Sequence, residues 1–198
     1  MTHIRTNIVN FRLQDIAPVL NLILDGSAHG HFNPDYVKPP FIAGLGLQLF
    51  SLLFGRIKMP DGIWYSASAR VLRVDRHTVG YAMVRRENNH SGEIYMLAVQ
   101  REYRSLGYGR AMLNDLLSPL PTGFKLYASC LPSSVAMIQL LSTLAFREEV
   151  SEIASSPIKI FCKHIDGGRE GHGPTRACLI RAAAPGSESV VTTLHAGH

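Results

Sequence analysis

The period of the apolar positions changes several times along the chain, and each change marks an element. Ile4 to Phe11 reads as a strand, although Thr6 and Asn7 interrupt its alternation. Leu13, Ile16, Ala17, Leu20, Ile23 and Leu24 recur every three or four residues and predict a helix, which Gly26 is expected to end. Residues 25–40 carry Gly, Asn, Asp and three prolines and predict a long loop, followed by an apolar helix from Phe41 to Phe54. From Trp64 the period falls to two. Strands are expected at Trp64 to Val74 and Thr78 to Arg85, joined through Asp75, Arg76 and His77, with a third at Glu93 to Val99 after the turn residues of 87–92. A polar, glycine-bearing stretch leads to an amphipathic helix, Arg110 to Leu117, which Pro119 and Pro121 stop. A strand at Phe124 to Cys130 and a helix at Ser133 to Leu144 come next. Two strands within Phe146 to His164, broken near Ser155, Ser156 and Pro157, complete the series. The order β-α-α-β-β-β-α-β-α-β-β predicts an α/β fold of the α+β type with a mixed sheet.

Composition narrows this picture. The 198 residues, 46% hydrophobic and 18% charged, suit one globular domain. That domain is expected over residues 1–166. Residues 167–198 hold six of the 17 glycines and no Phe, Tyr or Trp, so they are expected to form a flexible tail with at most a weak strand at Ala177 to Ile180. Lys and Arg outnumber Asp and Glu by 20 to 15, and the resulting +5 suits an anionic ligand without choosing one. Cys130, Cys162 and Cys178 lack CxxC spacing, which argues against a disulfide framework or a zinc ribbon and makes the cytoplasm the expected compartment. The N-terminal residues show no secretory pattern, and the apolar 41–54 segment is too short to span a bilayer, so no membrane partner is expected.

The informative segment follows the third strand: Gln100-Arg101-Glu102-Tyr103-Arg104-Ser105-Leu106-Gly107-Tyr108-Gly109-Arg110. Glycines where a loop turns into a helix let backbone N–H groups approach a ligand closely, and the helix dipole with Arg101, Arg104 and Arg110 favours a phosphate or pyrophosphate there. Gly109-Arg110-Ala111 lacks the Lys-Ser/Thr ending of a Walker loop, and Met112 stands where a dinucleotide fingerprint needs glycine. Instead, Arg104-Ser105-Leu106-Gly107-Tyr108-Gly109 after Leu97-Ala98-Val99 resembles the Gln/Arg-x-x-Gly-x-Gly/Ala cofactor loop of the GNAT superfamily of acyl-CoA-dependent N-acyltransferases. The resemblance runs from about Thr78 to Phe146 and, more weakly, over residues 4–164. It implies a mostly antiparallel central sheet flanked by helices and splayed between the strands at 93–99 and 124–130. It further implies that the backbone of Leu97, Ala98 and Val99 pairs with the pantetheine arm of acetyl-CoA, while the amides of Ser105, Leu106, Gly107, Tyr108, Gly109 and Arg110, beside Arg104, hold the pyrophosphate.

Acyl transfer to an amine needs a proton acceptor, a polarised carbonyl and a way for the thiolate to leave. Glu93 stands where the histone-acetyltransferase-like branch of the family has a general base; burial among apolar strands would suit it to that role, and a solvated strand end is the other reading. A main-chain N–H within Leu97 to Val99 would serve the carbonyl. Many relatives carry Asn-x-x-Ala-x-x-x-Tyr-x-x-x-Gly-Phe on the last helix. Counting back from Ala145-Phe146 puts Ser134, taken as cofactor-binding, at the asparagine and Leu141 at the tyrosine, so the usual acid is missing. Ser142, Tyr127 or water are the substitutes. An N-acetyltransferase working by direct attack in a ternary complex is therefore expected, and a regulatory acyl-CoA-binding module with little activity is the alternative.

Other constellations are weaker. His29, His31 and Asp35 are too few for a metal site, and none is expected. With Phe32, Tyr36 and the 41–54 helix they are read as the acceptor side. Arg70, Arg73, Arg76, Arg85 and Arg86 lack interleaved aromatics and read as solvated strand faces, with no nucleic-acid partner. Cys130 reads as a buried structural thiol. The acceptor is expected to be a small-molecule or protein amine, and a homodimer is left open.

Overall fold

The computed structural model describes residues 6–59, 62–149 and 158–165. Strand β1 spans Thr6–Asn10, α1 Ile16–Ala28, α2 Pro39–Leu52, β2 Arg56–Lys58, β3 Trp64–Val74, β4 His77–Arg86, β5 Ser91–Val99, α3 Tyr108–Leu117, β6 Lys125–Cys130, α4 Val135–Thr143, β7 Arg147–Glu149 and β8 Lys159–His164. The strands form one sheet in the order β1-β3-β4-β5-β6-β8-β7, with β2 also on β3. Every pairing is antiparallel except β5 with β6, because α3 carries the chain back across the sheet between those two. The break expected near Ser155 to Pro157, the tail and its weak strand lie outside the described residues.

The sheet buries both faces. On one, Met112, Leu113, Leu116 and Leu117 of α3 and Leu141 of α4 pack on Leu72, Val84, Ile94, Leu126 and Ala128. On the other, Val19 and Ile23 of α1 and Leu45, Leu49 and Leu52 of α2 pack on Val71, Tyr81, Met83 and Met96. Leu45, Leu49 and Leu52 follow one another at helical spacing, so α2 presents a narrow buried stripe although most of its residues are apolar. The proline pair Pro39-Pro40 occupies its first positions, where missing N–H groups leave nothing unsatisfied.

Several local expectations are corrected. Gly26 does not end α1; it is buried inside the helix, and a Cβ there would lie 2.6 Å from the Phe32 ring. The glycine is needed for close packing, and Gly30, at φ +73°, takes the left-handed position one turn later. The loop expected over 25–40 is correspondingly shorter and carries a 3-10 turn at Pro34–Val37. The β3–β4 turn contracts to Asp75 and Arg76, both at positive φ, while His77 pairs with Val74; two left-handed residues give the twist a tight hairpin requires. The short β2 adds a strand beyond those expected: Arg56, Ile57 and Lys58 alternate, with only Ile57 buried, but three residues are too few for alternation to mark a strand. The hairpin arginines are not all solvated either. Arg73 donates to the buried Asp15 at 2.9 Å, Arg70 to Asp115 at 2.6 Å, and Arg85 is 12% exposed within an ion pair described below.

Candidate functional site

The sheet parts where β5 and β6 run parallel. Pairing holds from Ser91↔Lys125 to Ile94↔Ala128 and then stops, so the β6-facing edge of residues 95–99 is unpaired among the described residues. A bulge begins the divergence: Met83 faces Met96 and Val84 faces Ile94, which leaves Tyr95 as the extra residue on β5. An inserted residue bends and twists its strand, and it also reverses the faces that follow. Ile94 therefore packs on the α3 side, whereas Met96 packs on the α1 side. Leu97, Ala98 and Val99, half-buried, form one wall of the resulting wedge.

The loop leaving β5 is built for an anion. Arg104 Nε donates to the Val99 carbonyl at 2.9 Å and ties the loop to the strand end. Ser105 and Gly107 both have positive φ, and Gly107 is the N-cap of α3 without any side-chain cap. The first bond back into the helix runs from the Ala111 N–H to the Gly107 carbonyl at 3.1 Å. Among the described residues nothing accepts from the N–H groups of residues 105–110. Nothing lies within 4 Å of a Cβ built on Gly107, whereas one on Gly109 would touch Leu140 of α4 at 3.2 Å. The first glycine keeps the approach open and the second lets two helices meet. Leu106, Ser105, Arg110 and Gly107 are exposed, and Tyr108 is half-buried. Unpaired donors at the positive end of a helix form an anion site.

Glu93 lies on β5 just before the parting, on the α1 side. Its Oε2 accepts from Arg85 Nη2 at 2.8 Å and its Oε1 from Ser129 Oγ at 3.0 Å; Ser129 sits on β6 one residue beyond the last β5 pairing. Burial pushes the Glu93 carboxyl above the usual carboxylate range, while Arg85 and Ser129 oppose the rise and Glu87 adds to it. The carboxyl is thus buried, as the catalytic reading requires, but it is also held in an ion pair that spacing along the sequence did not reveal. Arg85 stacks 4.7 Å from the Tyr65 ring and 5.8 Å from Tyr95, and reaches Glu87 at 3.5 Å. The only advance signal for this cluster was the hairpin register that sets Arg85 opposite Glu93. Tyr36, in the α1–α2 connection, packs with Tyr65 and Tyr95 against the same core cluster, and burial raises its hydroxyl well above the ordinary tyrosine range, with Tyr95 adding to the rise.

The opposite wall of the wedge is α4. Ser134 stands at its N-cap position but does not cap it; its Oγ instead donates to the His31 carbonyl at 3.4 Å, and Ser133 Oγ donates to the Gly30 carbonyl at 2.8 Å. Leu141 is fully buried in the core, so the structure puts no hydroxyl at that position. Ser142 donates its hydroxyl to the Ile138 carbonyl at 3.0 Å on the exposed side of α4. Tyr127, opposite Glu93 on β6, has its hydroxyl raised by burial against the opposing pull of Lys125. The Cys130 thiol is pushed up to about 11 by burial and, secondarily, by Glu93, which suits a structural role. Among the described residues no group of three His, Cys, Asp or Glu is placed to hold a metal, and no helix is long and apolar enough to cross a membrane.

A mixed sheet that parts between two parallel strands, with a glycine N-cap opening a helix at the parted end, defines an α/β fold with a wedge whose open backbone donors suit an anion. The sequence matches the Acetyltransferase (GNAT) family over residues 38–146, and the chain belongs to that family. No curated protein matches the sequence. Solved structures share the fold. YncA of Salmonella typhimurium, determined with its cofactor acetyl-CoA, superposes with a TM-score of 0.63 at 15% identity, covering 88% of this chain and 99% of that one. The PaiA N-acetyltransferase of Thermoplasma acidophilum, in complex with coenzyme A, gives 0.59 at 12% identity, covering 81% and 99%. The ribosomal-protein-S18-alanine N-acetyltransferase of Escherichia coli gives 0.56 at 16% identity, covering 85% and 99%.

Proposed function

We propose that the protein is an N-acetyltransferase that takes the acyl group of acetyl-CoA and passes it to a primary amine by direct attack within a ternary complex. The carrying observation is the open N-terminus of α3, with Gly107 left-handed and its neighbours' N–H groups free, beside the parting of β5 and β6. The amides of Ser105 to Arg110 would hold the pyrophosphate, with Arg104 and the α4 wall at Ser134 to either side. The edge of Leu97 to Val99, which has no strand partner on its β6 side among the described residues, offers main-chain groups to the pantetheine arm apart from the Val99 carbonyl that Arg104 holds, and an N–H there would polarise the thioester carbonyl.

Glu93 is the proton acceptor in this reading. A carboxyl kept above its ordinary range is better matched to an ammonium near neutral pH than a solvated one, and Arg85 and Ser129 fix its position. Holding both substrates in one wedge supplies the remaining advantage, because a bimolecular step becomes effectively unimolecular. The thiolate leaves to water or with help from Tyr127, since Leu141 has no proton to give. The relatives of known structure include one named for acetylating a ribosomal protein, so protein termini belong in an acceptor panel beside small amines.

The test is calorimetric titration of CoA, together with thiol release from acetyl-CoA across that panel. Gly107→Glu, which puts bulk and negative charge at the mouth, should abolish CoA binding. Unchanged affinity in that variant overturns the cofactor assignment, and tight binding without turnover of any amine overturns the enzymatic one.

A further inference from the structure

The segment leaving α1 crosses from one wall of the wedge to the other. On the β6 side, Ser133 and Ser134 hold the carbonyls of Gly30 and His31. On the β5 side, His29 and His31 share with Gln100, Arg101, Glu102 and Arg104 the lining of a half-open cavity of about 760 Å³, one side of which is α1. That volume lies in the range of small-molecule sites. His29 is already engaged: its Nδ1 lies 2.8 Å from the Asp25 carbonyl and 3.4 Å from the Asp25 carboxylate. The ring of His31 has no hydrogen bond among the described residues, and Arg104 uses only its Nε, on Val99. An unengaged imidazole and the free end of a guanidinium thus line one cavity, next to the start of the glycine loop.

We propose that the His29–His31 segment is part of the cofactor site, strapped across the mouth by Ser133 and Ser134 so that His31 joins Arg104 and Arg101 in binding the phosphate groups of CoA. The inference rests on the acetyl-CoA reading above and adds to the glycine loop a ligand from the opposite side of the sheet. Burial and the charge of Arg104, with a smaller effect of His29, hold the His31 imidazole below its ordinary range, and Asp25 opposes them. Glu102 is the other acid of the cavity and Arg101 its other base. A phosphate bound between His31 and Arg104 favours the imidazolium, so binding takes up a proton and tightens as pH falls. The ligand's own phosphate also titrates near pH 6, and comparing variants on one ligand cancels that contribution.

The experiment is calorimetric titration of CoA into the full chain, His31→Gln, Ser133→Ala and Gly107→Glu at about pH 6 and about pH 8. Circular dichroism and melting temperature are recorded for each. His31→Gln should bind CoA about tenfold more weakly at the lower pH and much closer to the wild type at the higher one, the size of effect one charge-assisted hydrogen bond gives at a half-exposed position. Ser133→Ala cuts the strap without touching the ring and should weaken binding in the same direction. Affinities of His31→Gln and Ser133→Ala that match the wild type at both pH values overturn the inference. If Gly107→Glu still abolishes binding in that case, the cofactor reading survives; if the wild type itself does not bind CoA, that reading falls first and the strap falls with it.

Discussion

Replacing Arg85 by methionine separates a catalytic Glu93 from a structural one. The two groups are 12% and 13% exposed, and Nη2 lies 2.8 Å from Oε2, with charge centres about 4 Å apart, a separation worth about 4 kcal/mol at an effective dielectric constant near 20. Methionine keeps much of the apolar contact with Tyr65 and Tyr95 but removes this attraction. Glu87, which already pushes Glu93 upward, is then left without the cation between them. Every remaining influence except Ser129 raises the carboxyl further. If only a third of the pair energy survives relaxation and water entry, the acidic limb of the rate profile moves to higher pH by about one unit, since one unit corresponds to about 1.4 kcal/mol. The sign follows from the chemistry: a base works deprotonated, so activity falls as pH drops through its pKa, and raising that pKa moves the fall upward. The assay is initial thiol release from about pH 5 to about pH 9 at saturating acetyl-CoA. Glu93→Gln in parallel should lower the rate about a hundredfold or more and abolish the limb. An Arg85→Met profile that superposes on the wild type, from a variant still folded at the assay temperature, would remove Glu93 from the proton transfer.

Two further outcomes test the scaffold. Asp15 is 1% exposed and accepts from Arg73 at 2.9 Å through both oxygens, from Thr78 at 2.8 Å and from the Arg12 N–H at 2.9 Å, so Asp15→Ala strands a half-buried guanidinium and should destabilise by about 3–5 kcal/mol. In thermal denaturation that is a fall of roughly 6–20 °C, and a fall below about 2 °C would show that the cluster is not holding α1 to the β3–β4 hairpin. Cys130, buried with its thiol raised to about 11, should resist alkylation at neutral pH until the protein unfolds, which peptide mapping of the labelled chain can follow; prompt labelling of the native protein would contradict its burial.

Most of the framework was legible because it rests on local periodicity. The alternation of Trp64 to Val74 gives β3 at its observed bounds, and Met112, Leu113, Leu116 and Leu117 name the buried stripe of α3. The glycine loop stands out for another reason: Gly107 and Gly109 follow a strand and open a helix, and the open helix N-terminus found there is a backbone feature that strand, glycine and helix order mark together. Failures occur where a residue's role is fixed by something distant in sequence. Gly26 carries the same local signal as a helix terminator, yet its identity answers to the Phe32 ring. Arg85 and Arg73 look like members of a solvated basic face, but Glu93 and Asp15 reach them only through the sheet register and the α1 docking. Periodicity has no access to such pairings.

In the proposed reaction, glycines and strand order mark the acetyl-CoA side, whereas the surroundings of Glu93 come from β3, β4, β5, β6 and the α1–α2 connection by contacts at long sequence separation. Tyr36, Tyr65 and Tyr95 converge with Arg85 around Glu93. Only Glu93 stands out in the sequence, through its place in the family pattern; Arg85 and the three tyrosines carry no motif. Their arrangement bears on selectivity through charge. In the proposed reaction Arg85 already pairs with Glu93, so the carboxyl offers less than the full field of a free anion to an incoming ammonium, and the neighbouring rings would supply a cation–π attraction to orient it. An acceptor that inserts between Arg85 and Glu93 would weaken their attraction, raise the base toward the pKa of the amine and thereby improve it for the proton it is to accept.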